Sequence, residues 1–347
     1  LVDHPGVRVR VEGHADDQGT PVHLAQPARR IVSLAPHVTE LLFAAGAGGK
    51  VVGAVQYSDY PEAARSVARV GSYTAVDMEK VAALKPDLVV AWKSGNRDAH
   101  LDKLRALGIP VFINEPRRIE DVARSLTQLG RLAGTEAAAE AAAQAFRARQ
   151  GALAARYSAR PTVRVFYEIW NHPLMTINGE HLISDVIRLC GGENVFARLP
   201  VLAPAIDTEA VLAAAPEVIV ASGMGEARPE WLDDWRRWTK LNAVARGNLF
   251  FIPPDQIQRH TPRILDGAER LCGQHEESIP VGGFAQRLGG HGAQLIGRNA
   301  GEAVAEAPQA GQAPLGGFAT QAAFGVEACA QAYGFLQIVE APIAPAS

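Results

Sequence analysis

Ten histidines and three cysteines are the residues of this 347-residue chain that most readily do chemistry, and their spacing supports little of it. There is no His-Glu-x-x-His run to set two imidazoles on one helix face, and no Cys-x-x-Cys or Cys-x-x-His pair to grip zinc. His37, His172, His181 and His260 could meet only through the fold. Ala45-Gly-Ala-Gly-Gly-Lys50 has the glycines and lysine of a phosphate loop. It follows a helical pattern, lacks the leading glycine at the required spacing, and continues into Val51 instead of Ser or Thr. A helix end and a turn account for those glycines. Ser222, in Ala-Ser-Gly-Met-Gly, does not sit in a nucleophile elbow. What recurs is polar-aromatic sequence: Tyr57 and Tyr60, Tyr73, Trp92 with Asn96, Tyr167 with Trp170, and Asp255 with Arg259. Aromatic rings give large contact areas with few rotamers to freeze, and scattered polar groups orient a ligand. That is binding chemistry, with no machinery for turnover.

The elements that must carry these residues are announced by a repeat. Residues 77–91 (DMEKVAALKPDLVVA) return at 207–221 (DTEAVLAAAPEVIVA), with Asp, Glu, Val, Ala, Pro, Val and Ala in register. Each copy reads as an Asp-capped helix, a proline turn and a strand buried on both faces. Around them, strands and helices alternate through 30–118 and again through 159–274, the pattern of parallel sheets covered by helices. The aromatic and polar positions above fall after the strands, where open α/β sheets hold ligands. Two such lobes imply a cleft between them. The segment 119–158 loses its strands, and its Ala-rich run 136–156 is a strong helix former long enough to pass from one lobe to the other. Residues 1–29 read as a small hairpin around the turn at 16–19, with alternation at 7–11 and 22–24. Residues 275–347 are rich in Gly, Ala and Gln without helical or strand period, and read as loosely packed chain or as a shifted reading frame.

A formal net charge of -3 gives no sign of a polyanionic partner, so nucleic-acid binding is not expected. No run of about 18 apolar residues occurs to span a membrane. Leu1 opens the chain with no basic start and apolar stretch, as in a mature exported protein or a cytoplasmic one. Cys190 and Cys272 are read either as buried free thiols or, in an exported protein, as a long-range disulfide. Cys329 falls in the tail and is left over.

The segments IVSLAPHVTE (31–40), YSDYP (57–61), LKPDLVVAW (84–92) and CGGENVF (190–196) resemble the periplasmic corrinoid-binding proteins of ABC importers. These belong to the helical-backbone metal-receptor superfamily, which also includes siderophore and haem receptors. The resemblance covers about residues 28–274, in family order. It implies two Rossmann-like α/β lobes with parallel sheets, joined by one long bridging helix, and a ligand between them. Tyr57, Tyr73, Trp92 and the Ile169–Trp170 region would touch the corrinoid, with Asp255 and Arg259 opposite. It also implies that Cys190 and Cys272 form a disulfide, and that Glu79 and Glu209 dock on a homodimeric permease in the inner membrane. Two departures stand out: an aromatic expected in the second lobe falls near Ala203, and Tyr73 stands where relatives can carry Trp. Both point to a looser pocket or to another corrinoid such as cobinamide. The resemblance thus predicts a non-enzymatic receptor, a monomer when free, without cofactor or bound metal of its own, in the periplasm or outside the cytoplasm. Its rivals are a ferric-siderophore or haem receptor, whose anionic ligands would want several basic groups beside Arg259, with Lys93 as the residue to watch, and an α/β enzyme acting on a small molecule.

Overall fold

Both copies of the repeat fold in the same way. In the computed structural model, which describes residues 12–157, 159–223 and 227–278, Asp77 and Asp207 accept the backbone N–H of Lys80 (3.0 Å) and Ala210 (2.7 Å) and so start the helices Met78–Ala83 and Thr208–Ala214. Each helix ends just before its proline, where Lys85 (φ 47°) and Ala215 (φ 44°) take left-handed backbone and turn the chain into a strand. The strands Leu88–Ala91 and Val218–Ala221 are buried at every position, as parallel strands covered on both faces must be.

In the first lobe five parallel strands run in the order Ala68–Arg69, Val51–Ala54, Ile31–Ser33, Leu88–Ala91, Val111–Ile113. In the second, four run Gly192–Asn194, Val163–Glu168, Val218–Ala221, Leu249–Phe251. The repeat strand lies beside the lobe's first strand in both sheets, and the strand order reverses between those two. Crossovers leaving such a switch point in opposite directions open a crevice beyond the carboxyl ends of its strands. One crevice therefore follows Ser33 and Ala91, and the other follows Glu168 and Ala221.

The 22-residue helix Glu136–Tyr157 spans about 33 Å and belongs to both lobes. Near its start Thr135 donates to Ala45 O (2.7 Å), and the helix approaches Ile119–Ala133 so closely that a Cβ on Gly130 would lie 2.2 Å from that of Ala139. Its far half is tied to the last helix, Ile264–Ser278, by Arg149 to Asp266 (2.7 Å) and Glu269 (2.8 Å) and by Arg156 to Glu276 (3.2 Å). The same last helix holds Cys272, which is disulfide-bonded to Cys190 at the end of Leu182–Leu189. The free-thiol alternative is thereby removed.

The amino-terminal hairpin pairs Glu12–Ala15 with Pro21–Leu24; the alternation at 7–11 lies outside the described residues, as do 279–347 and Cys329. The hairpin is not a loose extension. Asp17 donates its N–H to Ile113 O (3.0 Å), its carboxylate accepts from Glu115 N (2.6 Å), and Arg124 pairs with it (3.2 Å). The hairpin is pinned to the end of the edge strand Val111–Ile113 of the first sheet. Among the described residues no helix is long and apolar enough to cross a membrane.

Candidate ligand site at the strand ends

Trp92 leaves the strand Leu88–Ala91 directly into the first crevice. Its ring meets His37 edge-on (centroids 5.1 Å, 86°) and Tyr73 at a tilt (6.0 Å, 52°). One buried amide arranges this wall. Asn96 accepts the N–H of Trp92 (2.7 Å) and donates to the carbonyls of Leu34 and Tyr73 (both 2.9 Å), so three strand-end loops share one anchor. Gly95 gives the indole its bed, since a Cβ there would lie 2.0 Å from Trp92 Cε3. The indole Nε1 of Trp92 is buried and has no hydrogen-bond partner among the described residues. Tyr73 is nearly closed off, at 2% exposure, whereas Tyr57 and Tyr60 stand half in solvent at 44% and 45%. Tyr57 also holds a left-handed backbone (φ 62°), a conformation that costs a non-glycine residue about 1–3 kcal/mol and collects at binding sites. The next residue secures that turn: Ser58 accepts from Thr39 Oγ1 (2.9 Å), and its carbonyl from Arg69 (2.9 Å).

Asp255 and Arg259 come together on the second-lobe side. Arg259, with 6% of its side chain exposed, reaches Asp255 at 3.3 Å and crosses the cleft to Asp59 at 2.6 Å. Burial alone would lower the pKa of Arg259, but the Asp59 hydrogen bond and the charges of Asp255, Asp59 and Glu40 outweigh it and raise it. Beside it Arg263 makes a bidentate bridge to Glu40 (2.8 and 2.8 Å) and lies 4.0 Å over the ring of Tyr60. Glu40 and Asp59 belong to the first lobe, the two arginines to the second. The seam is therefore an ionic one in which carboxylates already compensate both guanidiniums. Lys93 is paired with Asp98 at the start of Asp98–Ala106.

Three histidines lie along the same seam. His260 is 5.7 Å from His37 across the lobes and 6.0 Å from His181. Burial, then the charges of His260 and Arg259, hold His37 well below the ordinary imidazole range. Burial brings His260 down to about 4, and burial with the His260 charge brings His181 to about 3. All three are neutral at neutral pH. Among the described residues no group of three His, Cys, Asp or Glu is arranged to hold a metal ion.

The remaining predicted residues are spread out. Ile169 is a core residue at 1% exposure, bonded through its N–H to Met175 O (3.0 Å). Trp170 is half-buried in the short strand Trp170–Asn171, its indole N–H on His172 O (2.8 Å). Tyr167 is fully buried in the second-lobe sheet and hydrogen-bonded to Ser222. Ala203, where an aromatic was expected, is buried at 1%. Glu79 and Glu209 are both exposed at the second position of their Asp-capped helices, as the repeat requires. Sequence reasoning missed Glu40, Asp59 and Arg263. The only signal for Glu40 and Asp59 was membership of the quoted segments 31–40 and 57–61, and Arg263 had none.

An Asp-capped repeat, two switch-point crevices and a bridging helix define a two-lobed solute receptor. Residues 31–256 match the periplasmic binding protein family, and the chain belongs to it. A vitamin B12-binding protein of Yersinia pestis (strain Pestoides F) is 39% identical over 257 residues, 74% of this chain and 89% of that protein. One of Vibrio parahaemolyticus serotype O3:K6 is 36% identical over 73% of this chain and 91% of its own length. The crystal structure of the periplasmic vitamin B12 binding protein BtuF of Vibrio cholerae superposes with a TM-score of 0.67 at 35% identity, covering 73% of this chain and 98% of that one.

Proposed function

We propose that the protein captures cobalamin or a related corrinoid between its lobes and hands it to the permease of an ABC importer. The observation that carries this is the charge balance of the seam beside an aromatic wall. Arg259 and Arg263 are met by Asp59, Asp255 and Glu40, and Lys93 by Asp98. A haem or catecholate siderophore would bring anionic charge to a place with no surplus cation among the described residues, and desolvating unpaired charge is expensive. A corrinoid offers a broad, nearly neutral face and many amides, which suits Trp92, Tyr73, Tyr57 and Trp170 with Asp255 and Arg259 as polar contacts. The vitamin B12-binding relatives support the same reading. Among the described residues nothing in the seam is arranged as a nucleophile with its base, and the family's role is binding, which supports a receptor over an enzyme.

A disulfide persists where the surroundings are oxidising, and Cys190–Cys272 supports a periplasmic setting. Glu79 and Glu209 supply two equivalent exposed carboxylates related by the repeat, a pattern that suits a two-fold symmetric partner. Isothermal titration of the full chain with cyanocobalamin and with cobinamide tests the ligand. One-to-one binding of either, weakened at least about tenfold by Trp92→Ala, is the expected result, and tighter binding of cobinamide would fit the small Ala203. No heat and no spectral change with both corrinoids would overturn the assignment.

A further inference from the structure

Glu168 is a carboxylic acid where a strand would be expected to deliver an apolar residue. It ends the central strand Val163–Glu168 and is 2% exposed. It accepts the indole N–H of Trp235 (2.8 Å). Burial, aided by the charge of Asp234, pushes its pKa up to about 8. The proposed corrinoid contacts do not use it. It lines a cavity of ≈ 210 Å³ within the second lobe, room for about seven waters' volume. The indoles of Trp231, Trp235 and Trp238 also line it, with Glu209 and Asp234. Trp235 is 5% exposed and Trp238 38%, so the aromatic lining runs from the interior to the mouth.

We propose that this cavity binds a small organic cation, an alkylated ammonium, among the three indoles and against the carboxyl of Glu168. Indole faces carry negative potential and attract weakly hydrated cations, and desolvation strengthens the attraction. Three carboxyl groups on the lining disfavour an anion. The cation already present, Arg237, is turned back on Asp234, with Nε on its carbonyl (2.8 Å) and Nη2 4.0 Å from its carboxylate. A bare metal ion would want a shell of oxygens that indoles do not supply. A neutral apolar guest would leave Glu168 with nothing to gain. The cation instead favours ionised Glu168, so at neutral pH binding releases a proton to solvent. The proposal does not depend on the corrinoid reading, although Glu209 on the lining is also one of the two carboxylates assigned above to permease docking.

The full chain is titrated calorimetrically with choline and with its uncharged isostere 3,3-dimethylbutan-1-ol. Choline is expected to bind roughly tenfold or more tightly than the alcohol, from the cation–π and charge terms. Trp238→Ala, a change at the exposed mouth, should cost about as much. Glu168→Gln keeps an acceptor for Trp235. It should weaken choline roughly tenfold and abolish the proton release seen when buffers of different ionisation enthalpy are compared. The other charged or titratable groups on the lining are His172, Glu209, Asp234 and Arg237, and the Gln variant separates the part of Glu168 from theirs. Equal binding of choline and the alcohol, no binding of choline at 50 mM (on the order of a useful upper limit), or an unchanged Glu168→Gln variant would each overturn the proposal.

Discussion

Replacing Arg263 by Met tests whether the two lobes are held by their ionic seam. Glu40 has 3% of its side chain exposed and Arg263 has 18%, so the pair is close to the buried limit. Both carboxylate oxygens are engaged, at 2.8 Å each. Removing the arginine strands a buried carboxylate, which costs about 3–5 kcal/mol. Loss of the stack on Tyr60 adds about 0.5–1 kcal/mol. Glu40→Gln should cost less, about 1–3 kcal/mol, because the amide still accepts a hydrogen bond and Arg263 can reach water. The double variant carries neither charge and should recover about 2 kcal/mol or more relative to the sum of the singles. Urea unfolding reads all four proteins, and with a slope near 3 kcal/mol/M the Arg263→Met midpoint should fall by roughly 1 M or more. A shift under about 0.5 kcal/mol, or strictly additive single effects, would refute the reasoning.

Three further outcomes follow from the same geometry. The Cys190–Cys272 bond closes a loop with a sequence separation of 82, so chain entropy gives it about 4.5 kcal/mol as an upper figure. Cys190→Ser/Cys272→Ser should melt lower by roughly 5–15 °C, and dithiothreitol should lower the melting point of the native protein alone. The buried histidines make stability fall on acidification. His37, His181 and His260 have folded pKa values below 6.5, so below that pH the unfolded chain binds more protons, and each costs at most about 1.4 kcal/mol per pH unit until its folded pKa is reached. Glu168, raised from 4.5 to about 8, acts in the opposite sense and loses stability as pH rises through that window. For these four groups the histidines win between about 4.5 and 6.5. Urea midpoints at several pH values check this. A flat or inverted slope there would contradict it, and His260→Gln should reduce the slope. Gly95→Ala must displace the Trp92 ring, 2.0 Å from the added carbon, at about 1–3 kcal/mol of overpacking. Near-ultraviolet dichroism and corrinoid affinity should change together, and an unaltered pair of readouts would count against Trp92 as a ligand contact.

The parts of this fold that were legible in the sequence are the ones written locally. An aspartate three residues before the N–H it caps, a proline after a helix and a run of β-branched residues are each settled within about ten positions. They gave both lobes, their strands and the Ala-rich bridge. What did not show was set by partners far apart in the chain. Glu168 carries no local signal of a role, and is buried where Trp235, 67 residues on, donates its indole N–H to it. The hairpin reads as an appendage, and is held because Asp17 reaches Glu115, 98 residues away. Arg259 reads as largely alone among the nominated residues, until Asp59, 200 residues earlier, is found against it.

That last pairing also changes what the cleft can be selective for. A guanidinium with no carboxylate beside it would reward any anion that fits, including haem and siderophores. With Asp59 and Asp255 on Arg259, and Glu40 on Arg263, an anionic ligand must break ion pairs that also join the lobes. It therefore competes with closure, whereas a near-neutral ligand leaves the seam intact and adds its contacts to it. Selectivity for the kind of ligand then comes less from attraction to the right one than from the cost of the wrong one. Asp59→Asn should weaken the seam yet raise the affinity for haem relative to a corrinoid, since it frees positive charge in the cleft. Comparative titration with both ligands reads that ratio, and an unchanged or falling haem preference would place the discrimination in shape rather than in charge.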